Sequence, residues 1–194
     1  MNMKSVSAVI VAAGKSRRMG RLGNKVCIPI AGRPILFYSI AAFLKAGITR
    51  IVVVVRPRDS GRIRRLIQKF AFSVKPDIRI AAGGRERQDS VWNGITAADT
   101  DIVLVHDAAR PAVSSGLILR VMRGTRASGA CVPVVALNDT LKRVSGGRVR
   151  RTESRAGLYG VQTPQGFRRD VLLRAILSAR QKGLVATDCS ALVE

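Results

Sequence analysis

The densest chemistry in the chain lies in residues 12–25, Ala-Ala-Gly-Lys-Ser-Arg-Arg-Met-Gly-Arg-Leu-Gly-Asn-Lys. The small residues Ala12, Ala13 and Gly14 let a ligand approach the backbone closely. Gly14 and Ser16 can aim N–H groups at phosphate oxygens. Lys15, Arg17, Arg18, Arg21 and Lys25 supply positive charge, Arg in a form suited to bidentate contact and Lys as a point charge. It is not a Walker loop, because G-x-x-x-x-G-K-[ST] is absent. It is not a dinucleotide fingerprint either: G-x-G-x-x-G is missing and no acidic residue ends the second expected strand. A basic glycine loop of this kind suits a polyphosphate, and taken alone it also suits a solvated surface loop.

The elements that would position this loop alternate. Short β-branched runs at 6–12 (VSAVIVA), 51–55 (IVVVV), 74–81, 102–106 (IVLVH) and 131–135 (CVPVV) read as buried strands. Helical spacing of apolar residues appears at 34–46, 60–70, 90–98 and 116–128, with Gly47 ending the first and Asp89 placed to cap the third. Strands apolar on both faces, alternating with helices, predict an α/β fold: a mostly parallel sheet with helices on both faces. Ligands of such sheets bind beyond the carboxyl ends of the strands, which singles out the loops after Ala12, Ala81, His106 and Val135. Residues 137–160 break the pattern: polar, basic and turning at Ser145-Gly146-Gly147, they read as an extended arm projecting from a single domain, 1–194. A solvent-exposed flap and an arm that pairs with a second copy are both open from pattern alone.

The 194 residues carry 34 Lys and Arg against 12 Asp and Glu, a net charge of +22 that implies an anionic partner or a solvated basic surface. No acidic residue precedes Asp59. Hydrophobic residues make up 47% and aromatics 4%, so the core must be built from Val, Ile, Leu and Ala. The apolar runs are far shorter than the ~20 residues of a spanning helix, which argues against membrane insertion. Residues 1–13 loosely mimic a signal peptide but lead into a basic loop without an A-x-A-like site. Three widely spaced cysteines, Cys27, Cys131 and Cys189, form no C-x-x-C pair and suit a reducing, cytoplasmic compartment.

Six motifs in chain order then carry a resemblance. They are the 12–25 loop, Gly83-Gly84-Arg85-Glu86-Arg87-Gln88-Asp89-Ser90-Val91, Val105-His106-Asp107-Ala108-Ala109-Arg110-Pro111, Asp139-Thr140-Leu141-Lys142-Arg143, Thr163-Pro164-Gln165-Gly166-Phe167 and Ala186-Thr187-Asp188. Over essentially the whole chain the sequence resembles the 2-C-methyl-D-erythritol 4-phosphate cytidylyltransferase family. The resemblance implies a Rossmann-like nucleotidyltransferase fold. It also implies a reaction in which a polyol phosphate attacks the α-phosphorus of CTP and pyrophosphate leaves, a step of non-mevalonate isoprenoid biosynthesis. Cytidylyl transfer to ribitol 5-phosphate shares most of the motifs and is the nearest alternative.

By the same resemblance, Arg18 and Lys25 stabilise the transition state. A phosphate monoester with a second pKa of ~6 is already mostly dianionic at neutral pH, so no general base is required. The solitary His106 is then more simply structural. Cytosine and the CTP phosphates fall to Ala12, Ala13, Gly14, Lys15, Gly84, Ser90 and Ala108, with Arg87 supporting the Gly83-Gly84 loop and a glycine pair suited to a backbone lying against a base. Asp107 would bind hydroxyls of the sugar or polyol, help hold Mg²⁺, or simply pair with Arg110. Mg²⁺ itself follows from a triphosphate substrate, held mostly by phosphate and water oxygens, with no dedicated protein metal site. Thr140 and Arg155 on the arm would hold the polyol phosphate in the partner subunit's site, making the protein a homodimer through residues 137–160.

The departures matter too. The chain stops at Glu194, whereas the family continues through a further strand and helix bearing I-K-[IV]-T-x-P-x-D, and Cys189 stands where relatives usually carry an acidic residue. A fragment, a shortened enzyme and an inactive nucleotide-binding homologue are all compatible with that. A nucleic-acid module would explain the charge, but no aromatic–basic interleaving, helix-turn-helix signal or zinc ligand set accompanies it.

Overall fold

The computed structural model describes residues 5–14, 24–70 and 72–194. Strand β1 spans Val6–Val11, and a small ribbon of β2 (Pro29–Ile30) and β3 (Arg33–Pro34) leads into α1 (Ile35–Lys45). Then follow β4 (Arg50–Val55), α2 (Ser60–Lys69), β5 (Asp77–Ala82), α3 (Arg87–Ala97), β6 (Ile102–Asp107) and α4 (Ser115–Ser128). The last third holds β7 (Ala130–Cys131), β8 (Val134–Ala136), β9 (Leu141–Ser145), β10 (Arg148–Glu153), β11 (Tyr159–Val161), β12 (Gln165–Arg168), α5 (Arg169–Gln181) and α6 (Ser190–Val193).

The central sheet has the order β5-β4-β1-β6-β12-β7. Its first four strands are parallel, while β12 runs antiparallel to both β6 and β7. Alternation along each strand divides the core in two. Ala8, Ile10, Val53 and Leu104 face α1, α2 and α4 through Phe43, Ile63 and Met122. Val9, Val54 and Val105 face α3 and α5 through Ile95, Leu172 and Ile176. Each such fully buried aliphatic side chain contributes about 1.5–3 kcal/mol, which is how a sheet with few aromatics is held.

Three expected elements need correction, and two further ones were not expected. The fifth strand is two pieces, because the chain leaves the main sheet after Cys131 and Val134–Ala136 pairs with β11 in a separate ribbon. The loop after Val135 is therefore not at the central sheet's carboxyl edge. The third strand starts at Asp77 rather than 74, where its amide meets Thr49 O and pairing with β4 begins. Helix α3 starts at Arg87, with Glu86 as N-cap and Asp89 reciprocating from the first turn in a capping box. Finally β12 and α5, unread in the sequence, complete the sheet edge and one helical layer.

Within residues 137–160 the structure places a two-stranded hairpin. β9 and β10 form an exposed hairpin whose turn residues Gly146 and Gly147 sit at φ 59° and 71°, the left-handed pair a tight hairpin turn requires.

Candidate functional site

The strand order reverses beside β1, with β4 on one flank and β6 on the other, and a cleft of about 810 Å³ opens there. Ala12, Ala13 and Gly14 follow β1 on its floor. Arg56 follows β4, Gly84 to Arg87 follow β5, and Asp107, Ala109 and Arg110 close the β6 side. Asn24, Lys25 and Val26 form the remaining wall. A separate hollow of about 520 Å³ beside α2 and β5, lined by Ile67, Phe70, Phe72, Ile78 and Ile80 among others, shares no residue with this cleft.

The wall between β1 and β5 is built by backbone proximity. Ala12 N–H donates to Val54 O at 2.7 Å and Gly83 N–H to Val55 O at 2.7 Å, extending the ladder past the strand ends. A Cβ on Gly83 would lie 2.4 Å from Ala13 Cβ, and one on Gly84 2.2 Å from Asp89 Cβ. Only glycine fits at either place. Ser90 locks the turn: its hydroxyl accepts from Gly84 N–H at 3.0 Å and donates to Glu86 O at 3.1 Å. This hydroxyl shapes the glycine loop, while its side chain still borders the cleft.

The opposite wall is anchored by Asn24, which is 3% exposed. Its amide nitrogen donates to Asp59 Oδ2 at 2.9 Å and to Ala12 O at 3.4 Å, and its side-chain oxygen accepts from Val26 N–H. Asp59 also accepts from Arg56 Nε at 2.7 Å. Burial pushes the Asp59 carboxyl up, but the hydrogen bonds from Arg56 and Asn24 outweigh it and hold the group below its ordinary value. Sequence reasoning missed Arg56 and Asn24. The signal was present for Arg56, which directly follows a predicted buried strand.

On the β6 side Asp107 is flanked by two guanidiniums. Arg87 Nη2 lies 3.2 Å from Oδ1 and Arg110 Nε 3.5 Å from Oδ2. Arg110 also donates to Gln162 Oε1. Arg87 therefore supports Asp107 rather than the Gly83-Gly84 loop: its side chain crosses the cleft's end and also reaches Cys189 Sγ at 3.3 Å. Behind this wall the buried His106 receives a hydrogen bond from Thr163 and is pushed by burial to a pKa of about 4, so it is neutral.

The structure brings Ala12, Ala13, Gly14, Lys25, Gly84, Arg87, Ser90, Asp107 and Arg110 to one cleft. Ala108 is a correction. It is 0% exposed, with N–H donated to Val11 O and its carbonyl accepting from Ser39, so it lies under the cleft instead of lining it. Thr140 and Arg155 sit on the exposed arm, outside the cleft lining of their own chain, with Arg155 donating to Asn138 O. Lys15 and Arg18 lie outside the described residues. Among the described lining residues, Lys25, Arg56, Arg85, Arg87 and Arg110 stand against Glu86 and Asp107, a balance that favours a polyanion. Among the described residues no group of three or more His, Cys, Asp or Glu could hold a metal ion.

The chain is similar to known proteins over nearly its whole length. The family model for 2-C-methyl-D-erythritol 4-phosphate cytidylyltransferase matches residues 6–194. A protein of that name from Caldanaerobacter subterraneus subsp. tengcongensis is 40% identical, over 98% of this chain and 85% of the relative. Another from Bacillus licheniformis is 38% identical, over 96% of this chain and 80% of the relative. In crystal structures, 4-diphosphocytidyl-2C-methyl-D-erythritol synthase from Anaerococcus prevotii superposes with a TM-score of 0.82 at 27% identity, covering 98% of this chain and 83% of its own. The cytidylyltransferase from Thermus thermophilus gives 0.79 at 36% identity, covering 97% and 83%. A match of this extent, with residues of three of the six motifs lining the cleft at the switch point of the sheet, makes the chain a member of the 2-C-methyl-D-erythritol 4-phosphate cytidylyltransferase family.

Proposed function

We propose that the chain joins CTP and 2-C-methyl-D-erythritol 4-phosphate to give 4-diphosphocytidyl-2-C-methyl-D-erythritol and pyrophosphate. The observation that carries this reading is the single cleft in which a glycine-built wall, Ala12 to Gly14 and Gly84, faces the cations Lys25, Arg56 and Arg110. A flat base fits a wall of such small residues, and the phosphates fit the cations. An oxygen of the polyol's phosphate forms the new bond to the α-phosphorus of CTP, and the bond to the bridging oxygen breaks as pyrophosphate departs. The phosphate dianion needs no base, in keeping with a His106 that is buried, neutral and engaged on both ring nitrogens.

Lys25, with Arg18 from the same loop, would offset the charge gathered on the α-phosphate as it is attacked. Ala12, Ala13, Gly14, Lys15, Gly84 and Ser90 would hold the nucleotide. Asp107 offers its remaining lone pairs to a polyol hydroxyl and Arg110 faces the polyol's phosphate. Mg²⁺ would fit the cleft as a companion of the triphosphate: of the two lining carboxylates, Glu86 and Asp107, Asp107 would be the one to help hold it, and both its oxygens already face guanidiniums. Phosphate and water oxygens would therefore supply most of the ligands, and the metal would neutralise charge on the β- and γ-phosphates.

The arm completes the reading. Val134, Val135, Leu158, Tyr159 and Val161 are 40–58% exposed along the β8–β11 ribbon, an apolar strip suited to a second copy of the chain. In such a homodimer Thr140 and Arg155 would reach the partner's polyol phosphate. No helix among the described residues is long and apolar enough to cross a membrane, and the three cysteines are free, which suits the cytoplasm. The test is pyrophosphate release from CTP and Mg²⁺ with methylerythritol 4-phosphate and ribitol 5-phosphate supplied separately. Release with the former alone supports the proposal. Release only with the latter reassigns the alcohol, and release with neither refutes it.

A further inference from the structure

Two buried residues behind the cleft have no part in the chemistry above. Gln165 on β12 is 1% exposed, and both ends of its amide are engaged on one turn: its nitrogen donates to Asp188 Oδ2 at 2.7 Å, and its oxygen accepts from Cys189 N–H at 3.0 Å. Asp188 reinforces the turn by accepting from Ala191 N–H and from the Ser190 hydroxyl. Cys189, also 1% exposed, is thereby aimed at the cleft's end, where its Sγ accepts from Arg87 Nη1 at 3.3 Å. The other terminal nitrogen of Arg87 holds Asp107 Oδ1 at 3.2 Å.

These contacts link Arg87 to Cys189 across 102 residues of sequence. A guanidinium tied only to Asp107 could swing about that one contact. A second anchor at the opposite nitrogen fixes its plane, and with it the direction in which Asp107 presents its free lone pairs. We propose that Gln165 and Cys189 are positioning residues, which hold Arg87 so that Asp107 meets the polyol in a single orientation. The proposal rests on the reading of Asp107 as the polyol's hydroxyl acceptor. Neither residue lines the cleft.

Steady-state kinetics on the full chain test it. Cys189→Ala removes the acceptor, and its KM for methylerythritol 4-phosphate should rise about five-fold, a modest hydrogen bond's worth, with kcat and the KM for CTP within about two-fold. Cys189→Ser restores an acceptor and should bring that KM back near wild type. In an Asp107→Asn background the Cys189→Ala penalty should vanish, because the two act through one contact. A penalty that adds in full to that of Asp107→Asn, or a fall in Tm with no change in KM, would overturn the proposal. So would an effect of Cys189→Ser equal to that of Cys189→Ala. A crystal structure of Cys189→Ala reads the relay without turnover: Arg87 turned away from Asp107 supports it, and an unchanged contact near 3.2 Å refutes it. A wild-type chain silent with both alcohols would sink the functional reading alone, since the structure of the variant still decides the relay.

Discussion

The Thr163 hydroxyl lies 2.9 Å from His106 Nδ1, and the direction of that bond is settled by the ring's other side. His106 Nε2 stands 3.1 Å from Arg110 O, which can only accept, so Nε2 carries the proton and Nδ1 accepts from Thr163. Thr163 Oγ1 in turn meets Asp107 N–H at 3.5 Å. The neutral imidazole thus ties both ends of the Asp107–Arg110 turn to the sheet.

The first prediction concerns pH. Burial lowers the His106 pKa from 6.5 to about 4, so the unfolded chain binds a proton more readily than the native one. Stability from this group is complete above pH 6.5 and is lost as pH falls toward 4, by about 3 kcal/mol in all. Because the chain has one histidine, its ring signal is unambiguous in NMR. It should not titrate between pH 8 and 5.5, and Tm should decline steadily below pH 6.5. A midpoint above 6 would contradict the buried, doubly bonded ring.

Asp59 supplies a second. Its carboxylate joins Arg56 to Asn24, immediately before Lys25, so it shapes the phosphate side of the cleft from outside. Asp59→Asn should raise the KM for CTP about ten-fold and leave the KM for the polyol phosphate within about two-fold, at a stability cost near 1 kcal/mol. Equal rises in both constants would show that the network serves general folding instead.

The glycine wall makes a third. Gly83→Val must displace Ala13, whose Cβ would lie 2.4 Å from the new Cβ, and should weaken CTP binding by about ten- to a hundred-fold, as overpacking does. Gly61→Ala on α2 is the control, since its Cβ meets only the flexible Arg65 Nη1 at 3.9 Å. Calorimetric titration with CTP separates the two. Full affinity in the Gly83 variant would remove the wall from the nucleotide site.

The shared site makes a fourth. Lys25→Ala and Arg155→Ala chains should each be nearly inactive alone. If the arm completes the partner's cleft, unfolding and refolding them together in equal amounts should recover about one quarter of wild-type activity, because half the dimers are mixed and each mixed dimer has one intact site. No recovery, with mixed dimers demonstrated, would place Arg155 in its own subunit's site rather than the partner's.

Much of this was legible in the chain. Alternating β-branched runs and amphipathic helices determine the parallel half of the sheet, because a strand covered on both faces must be apolar throughout. The same pattern places Ala12 and Asp107 at carboxyl ends, so the cleft was addressable before any fold was drawn. Gly146 and Gly147 marked the hairpin turn for an equally local reason, the left-handed backbone both adopt.

Other features belong to the tertiary structure. Strand β12 is short, and Gln165 looks like any polar residue; only pairing with β6 and β7 makes it a buried amide. Ala108 stands between two cleft residues in sequence, yet the turn points it inward against α1. Arg87 finds Asp107 and Cys189 at sequence separations of 20 and 102, distances at which local pattern carries no information. Local periodicity therefore determined which elements form and where their ends lie. Which side chains meet across those ends was decided by packing, because hydrogen-bond geometry depends on positions that only the closed fold brings within about 3 Å.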